Sequence, residues 1–512
     1  MALSNIDLIQ VVQYGLGLSL AYWVTIIFYN QFCQGINHIP GPSLWATTDL
    51  FRVWDAWGRR PDITLTALHA KYGKLVRIGP NTVSISDPTA IKVVYGIKNP
   101  FRKSDFFSVF RAIARGRELH SMVNITDDKF HARLRRSVSN AFAMSSLVLF
   151  EPLVDSTSTA FFKQIDQRFA DRPDGAGVCD FGLWLQFYAF DVIGELTFSK
   201  RLGFLDSGVD VFNLISMIEK AMAYTSLKNP IRMWCSRVGL ISSTSPFATF
   251  AREQMANKHK ESGVAKYQDG PARKDFLDRF YEAHDKDPEF MNAERVLALT
   301  VGNVMGGSDT TAITLRAIFY FLLKNPAKLQ KLMDEIEQMT RDGKFAGDNH
   351  LLQWSEVRNW PYLTAVIKEA MRCHPATGVP LERIVPAGGA TICGTFIPEG
   401  TIVGCSGWLT QMHKPTYGED VEVFRPERWL EGTEAEKTAM NNALLTFGAG
   451  TRSCIGKNIT YLEVYKLVPA LLKRYEISLA DPDAEWTLWN AWLVKQSNFF
   501  VRFKTRNLER EI

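Results

Sequence analysis

Apolar residues follow three rhythms along this chain. The first is an unbroken run over residues 8–29, LIQVVQYGLGLSLAYWVTIIFY, with no charged side chain. At about 1.5 Å per residue, it predicts a helix long enough to cross a hydrocarbon layer of roughly 30 Å. Tyr22, Trp23 and Tyr29 suit the boundary between lipid and water. The second rhythm has a period near 3.6 and predicts helices over 127–142, 187–198, 293–323, 361–373 and 458–475. Asn325-Pro326 and His374-Pro375 close two of them, because the residue before a proline disfavours the helical conformation. The third is short and strand-like. It predicts strands over 75–78 and 82–86 around the turn Gly79-Pro80-Asn81, and over 390–397 and 401–403 around Pro398-Glu399-Gly400. The expectation is a mainly α protein with small β-sheets.

The rhythms divide the chain into an anchor and its flank (1–36), a proline-rich hinge (37–50) and a body (51–512). A cleaved signal peptide normally carries Lys or Arg ahead of a short apolar stretch. Here no Lys or Arg precedes Arg52 and the stretch is long, which favours an uncleaved membrane helix over a signal peptide or a buried core helix. His38-Ile39-Pro40-Gly41-Pro42 ends any helix and stiffens the connection. Arg52, Arg59 and Arg60 follow on the downstream side, so the body is expected in the cytosol. The body shows no repeat and no low-complexity tract. A polar stretch over 258–274 reads as a surface connection between helices.

Composition narrows the function. Apolar residues make up 46 % of the 512, too many for a disordered chain. The net charge of +5 is too slight for a nucleic-acid-binding stripe. Seven scattered cysteines without a C-x-x-C argue against a disulfide framework or a zinc site. Thirty-three Phe and 13 Trp suit either a thick core or a large apolar pocket.

One cysteine stands apart, in Phe447-Gly448-Ala449-Gly450-Thr451-Arg452-Ser453-Cys454-Ile455-Gly456. Glycines let the backbone bend around a sulfur, and a following helix would offer its N-terminus to a thiolate. A lone cysteine is usually an inert buried thiol. A phosphate loop is excluded: five residues separate Gly450 from Gly456 where four are needed, and Asn458 replaces the Ser or Thr. The segment resembles the haem-binding loop of the cytochromes P-450, F-x-x-G-x-R-x-C-x-G, at every fixed position. The resemblance implies the fold of that family and haem b with Cys454 as its axial ligand. It also implies Phe447 packed near the sulfur, Gly448 and Gly456 shaping the loop, and Arg452 on a haem propionate.

Other motifs follow in family order. Glu369-Ala370-Met371-Arg372 puts an acid and a base on one helix face, a pair that is ordinary by itself. By resemblance Glu369, Arg372 and Arg428 form a buried structural triad. Gly306-Gly307-Ser308-Asp309-Thr310-Thr311 places two glycines inside a helix, each costing ~1 kcal/mol relative to alanine. The resemblance sets this segment above the haem and gives Asp309 and Thr310 the delivery of protons during oxygen activation. His131 stands where the family usually has Trp, while Arg135 and Arg383 match. All three are expected at the propionates.

The implied activity is insertion of one atom of O2 into a small apolar organic substrate. The body leaves no room for flavin or nicotinamide domains, so electrons are expected from a separate NADPH-cytochrome P-450 reductase at the endoplasmic reticulum membrane. Specificity is expected in 101–123, 204–240, 376–380 and 489–494. Similarity is closest to fungal microsomal members such as pisatin demethylase, through Arg383-Ile384-Val385-Pro386-Ala387-Gly388-Gly389 and residues 424–430, which implies secondary metabolism. Two alternatives stay open: a haem-thiolate isomerase or dehydratase that needs no reductase, and a non-catalytic haem sensor.

Overall fold

The charge-free run forms one helix, α1 (Leu8–Phe32), three residues longer than expected. Its most apolar window is not buried against the rest of the protein. The computed structural model describes residues 8–114, 117–173, 176–225, 245–264, 274–345 and 351–506. After α1 the proline-rich segment is packed onto the body: Ile36 and Ile39 are buried in a cluster with Val83, Ile397 and Val403. A short amphipathic helix follows, α2 (Leu50–Trp57).

The elements that frame the body come next. Strands β1 (Leu75–Gly79), β2 (Thr82–Ile85) and β3 (Arg102–Lys103) precede helices α3 (Asp128–Val138), α4 (Phe181–Phe198), α5 (Ala293–Lys324) and α6 (Pro361–Cys373). Then come β4 (Arg383–Ile384), β5 (Ala390–Ile392), β6 (Thr395–Ile397) and β7 (Ile402–Cys405). Helix α7 (Lys457–Arg474) and the hairpin β8 (Thr487–Ala491) and β9 (Leu493–Ser497) complete the set. The largest sheet has the order β1-β2-β7-β4-β3. It joins residues far apart in the chain, with Val403 opposite Val83, 320 positions away, and Lys103 opposite Arg383, 280 positions away.

Helix α5 is the central beam. The Asn292 side chain accepts from the amide of Arg295 (3.0 Å) and caps its start. Its 32 residues span roughly 48 Å and end before Pro326, as expected. Helix α4 packs along it, with Phe181 edge-on to Phe319 at 5.0 Å. This helix starts six residues before the expected position, at a cap made by Asp180. Nearly all of α4 is buried, so there is no solvated face to set a period. The strand expected over 390–397 divides into β5 and β6, because Cys393 (φ 49°) and Gly394 (φ 80°) turn the chain between them. The polar stretch over 258–274 continues a helix, Pro246–Val264, before residues 265–273, which lie outside the described part.

Candidate active site

Helix α5 and the cysteine loop face each other across a cavity of about 320 Å³. One wall presents Gly306, Gly307 and Thr310, and the opposite wall Phe447, Gly448, Cys454 and Gly456. The two α5 glycines do different things. A side chain on Gly307 would strike Ile193 at 2.7 Å, so this glycine lets α4 close in. Gly306 has nothing within 4 Å and opens onto the cavity. Thr310 donates to the Gly306 carbonyl (2.6 Å), and its oxygen keeps acceptor capacity toward the cavity it lines.

The cysteine loop is held from several sides. The Cys454 amide donates to the Phe447 carbonyl (2.8 Å), closing the loop. Gly450 has φ 63°, and any side chain there would lie 1.7 Å from the Tyr95 carbonyl oxygen. The Tyr95 hydroxyl donates to the Leu381 carbonyl (2.8 Å) and accepts from the Cys405 amide (2.7 Å), which ties this contact to the sheet. Cys454 has accessible surface and lines the cavity, with the loop wrapped around it. Burial pushes the thiol pKa up, while the amides of Gly456 and Lys457 and the Arg135 guanidinium pull it down. Phe447 meets Tyr461 edge-on at 5.2 Å and shields that side of the loop.

One edge of the cavity is basic. Lys103, His131, Arg135, Arg383 and Arg452 all line it. The register of β3 and β4 sets Lys103 directly across from Arg383, a like-charge pair that destabilises a bare sheet. Burial, then Arg383 and Arg452, push the Lys103 ammonium well below its ordinary pKa. Burial and the neighbouring cations bring His131 down to about 3. Arg452 is partly neutralised by Asp128 (3.0 Å), and Arg135 donates to the Ser453 carbonyl (2.7 Å). An anionic ligand placed against this edge would relieve the repulsion. The residues therefore fit haem: carboxylates against the basic edge, a flat apolar body in the cavity, and a sulfur from the loop.

Asp309 lies elsewhere. Neighbouring helix residues point about 100° apart, and this carboxylate lines a smaller hollow with Glu219, Arg316 and Lys495. The Gln186 side chain donates to it and accepts from Arg316 (2.8 Å). Burial raises the Asp309 pKa against the pull of Lys495, Arg316 and Gln186. Thr310 and Cys454 thus share a cavity that Asp309 does not line.

Glu369, Arg372 and Arg428 meet in full burial. Arg372 holds Glu369 with two bonds (2.9 and 2.8 Å), and Arg428 adds a third (2.9 Å). The Trp429 indole and the Arg425 amide also donate to Glu369. Both guanidiniums also reach backbone carbonyls, Arg372 that of Val421 and Arg428 that of Asp420. The cluster fastens α6 to the chain that leads into the cysteine loop.

Among the segments expected to set specificity, Phe107, Met122, Val123, Ala376, Trp492 and Leu493 line the cavity. Trp492, at φ 82° in the β8–β9 turn, packs against Phe106, Phe107 and Phe110. Of the stretch 204–240, Phe204 is buried against Phe190, and residues 226–240 lie outside the described part. The sequence reading missed Lys103, Asp128 and Gln186. Lys103 belongs to a two-residue strand that leaves no periodic signal. Asp128 was discoverable as an acid opening an arginine-rich helix.

The cytochrome P450 family model matches residues 40–503. The chain belongs to the cytochrome P450 family. Cytochrome P450 monooxygenase cicH of Emericella nidulans is 41 % identical over 505 residues, covering 96 % of this chain and 98 % of that protein. A cytochrome P450 monooxygenase of Aspergillus terreus is 44 % identical over 457 residues, 86 % of this chain and 90 % of its own. A third P450, pkfB of Emericella nidulans, is 38 % identical over 488 residues, 93 % and 92 % of the two chains. The enzyme is a haem-thiolate P450 monooxygenase, using O2 and electrons from a redox partner.

Proposed function

We propose that Cys454 is the thiolate ligand of haem in this monooxygenase and that the substrate is a small apolar molecule of fungal secondary metabolism. The observation that carries the proposal is the shared cavity. Cys454 lies on one wall and Thr310 on the other, with a basic edge and apolar ends. Arg135, Arg383, Arg452, Lys103 and His131 would hold the propionates, and Phe447, Gly448 and Gly456 would shape the seat of the sulfur. Haem held there would supply the oxygen-activating chemistry needed to oxidise a C–H bond or double bond.

The protein's own part is positioning and proton handling. Thr310 holds a hydroxyl at the cavity wall, where it can pass a proton inward. Asp309 is the inner reservoir, supplied through the hollow it shares with Glu219 and Lys495. Phe107, Trp492 and Leu493 would exclude water and orient the substrate. Glu369, Arg372 and Arg428 act structurally.

We assign residues 1–36 to a single-pass anchor in the endoplasmic reticulum membrane, 37–50 to the connection, and 51–512 to a cytosolic catalytic domain. The redox partner is then an NADPH-cytochrome P-450 reductase. The charge-free α1 supports the anchor.

The test is the carbon-monoxide difference spectrum of the reduced protein. The full chain is expected to give the red-shifted Soret band of thiolate ligation, and Cys454→Ala to lose it. A variant that keeps the band removes Cys454 from this role.

A further inference from the structure

Asn303 breaks the apolar wall that α5 turns to the cavity. It lies seven residues before Thr310, close to two helical turns, so the two share a face roughly 10 Å apart along the axis. Gly306 and Gly307 lie between them and line the same cavity. Asn303 is only 8 % exposed. Its Nδ2 donates to the Thr197 hydroxyl on α4 (2.8 Å), which is fully buried. The other end of the amide has no protein partner among the described residues. A hydroxyl such as that of Thr197 can accept from the amide nitrogen or donate to the amide oxygen, so Asn303 can offer the cavity either an acceptor or a donor.

Ser121 stands at the same place. It lines the cavity, and a side chain added at Gly302 would first meet its Cβ, at 3.9 Å. Ser121 therefore sits against the α5 residue next to Asn303. Its position is fixed from behind. The Ser121 amide donates to the buried Asn124 side chain (2.9 Å), which donates in turn to the carbonyls of Leu119 (3.0 Å) and Phe110 (3.2 Å). The Ser121 hydroxyl has no partner among the described residues. Two pinned side chains thus present unpaired polar atoms to a cavity otherwise walled there by Phe107, Met122, Leu299 and Trp492. Neither belongs to the basic edge that would take the haem carboxylates.

We propose that Asn303 and Ser121 bind a hydroxyl group of the substrate, carried at the end of the molecule remote from the carbon that is oxidised near Thr310. The proposal rests on Cys454 and Thr310 marking the reacting side of the cavity, and it deepens that reading: the substrate is an apolar body with a hydroxyl at one end. A hydroxyl both donates and accepts, so it satisfies Asn303 in either orientation and Ser121 as well, whereas a carbonyl or ether oxygen only accepts. A ligand that covers the amide without a hydrogen bond loses affinity, because the buried polar group is left stranded.

The test compares 4-phenylphenol with biphenyl, each titrated into the full, haem-loaded chain while the Soret band and the heat of binding are followed. The phenol is expected to bind about tenfold more tightly than the hydrocarbon and to move the band to shorter wavelength, its far ring crowding the iron. Ser121→Ala is expected to reduce that advantage severalfold. Asn303→Leu combined with Thr197→Val removes both partners of the buried bond, so that neither is stranded; there the advantage is expected to vanish while biphenyl still binds. Equal affinity for the two probes, no binding of 4-phenylphenol, or an advantage that survives both variants overturns the proposal. So does a shift to longer wavelength, which would put the hydroxyl at the iron. Heat without any movement of the Soret band would place the probe away from the haem and overturn the shared-cavity reading itself.

Discussion

Lys103 and Asp309 are both buried charges whose surroundings oppose them, and each opposition makes a prediction. Lys103 is crowded by Arg383 and Arg452. Lys103→Met is expected to fold at least as well without haem, yet to hold haem more weakly by roughly ten- to hundredfold. That corresponds to about 1.5–3 kcal/mol for one hydrogen bond to a charged group. Transfer of haem to apomyoglobin measures it. Burial raises the Asp309 pKa above its ordinary value of 3.8. The folded state therefore binds this proton more tightly than the unfolded state, and the charged form costs stability as pH rises past 3.8. Asp309→Asn is expected to melt higher than the parent at pH 7, with the gap narrowing as pH falls toward 4. The same variant and Thr310→Ala are expected to bind haem and substrate but to consume NADPH with little product. Full coupling in either one removes it from proton delivery.

At the scale of elements, the buried cluster around Glu369 fastens α6 to the chain that leads into the cysteine loop. Glu369→Ala would leave Arg372 and Arg428 buried without their carboxylate, at a cost of roughly 3–5 kcal/mol. The expected outcome is a chain that accumulates poorly and without haem, read from the haem-to-protein ratio and the melting temperature. The helices were legible in the sequence where one face is wet or where proline stops them. The limits of α6 and the end of α5 before Pro326 came from that grammar. The start of α4 did not, since a helix buried on all sides has no contrast between faces. The break between β5 and β6 was hidden because a cysteine, not a glycine, occupies the first left-handed position. Motif spacing found the cysteine loop and the Glu369 cluster. It gave no sign that Asp309 and Thr310 serve different hollows, because adjacency in sequence on a helix means divergence in space.

At the scale of the molecule, the monooxygenase depends on a redox partner for its electrons. Purified chain with NADPH, O2 and substrate is expected to give no product until a microsomal reductase is added. Rearrangement or dehydration of a hydroperoxide substrate itself, with no oxygen atom passed to a second molecule, would instead identify an isomerase or dehydratase. The basic edge shows why local sequence says little about global charge: its members come from β3, α3, β4 and the cysteine loop, and only folding assembles them. The seat of Gly450 against the Tyr95 carbonyl has a similar reach. Through Tyr95 the loop takes part of its position from the sheet, beyond what the ten residues fix among themselves. Grafting that decapeptide onto another helical scaffold would transplant the ligand without its reference point. Lengthening the loop between Gly450 and Cys454 by one residue would misplace the sulfur, even with every motif letter intact.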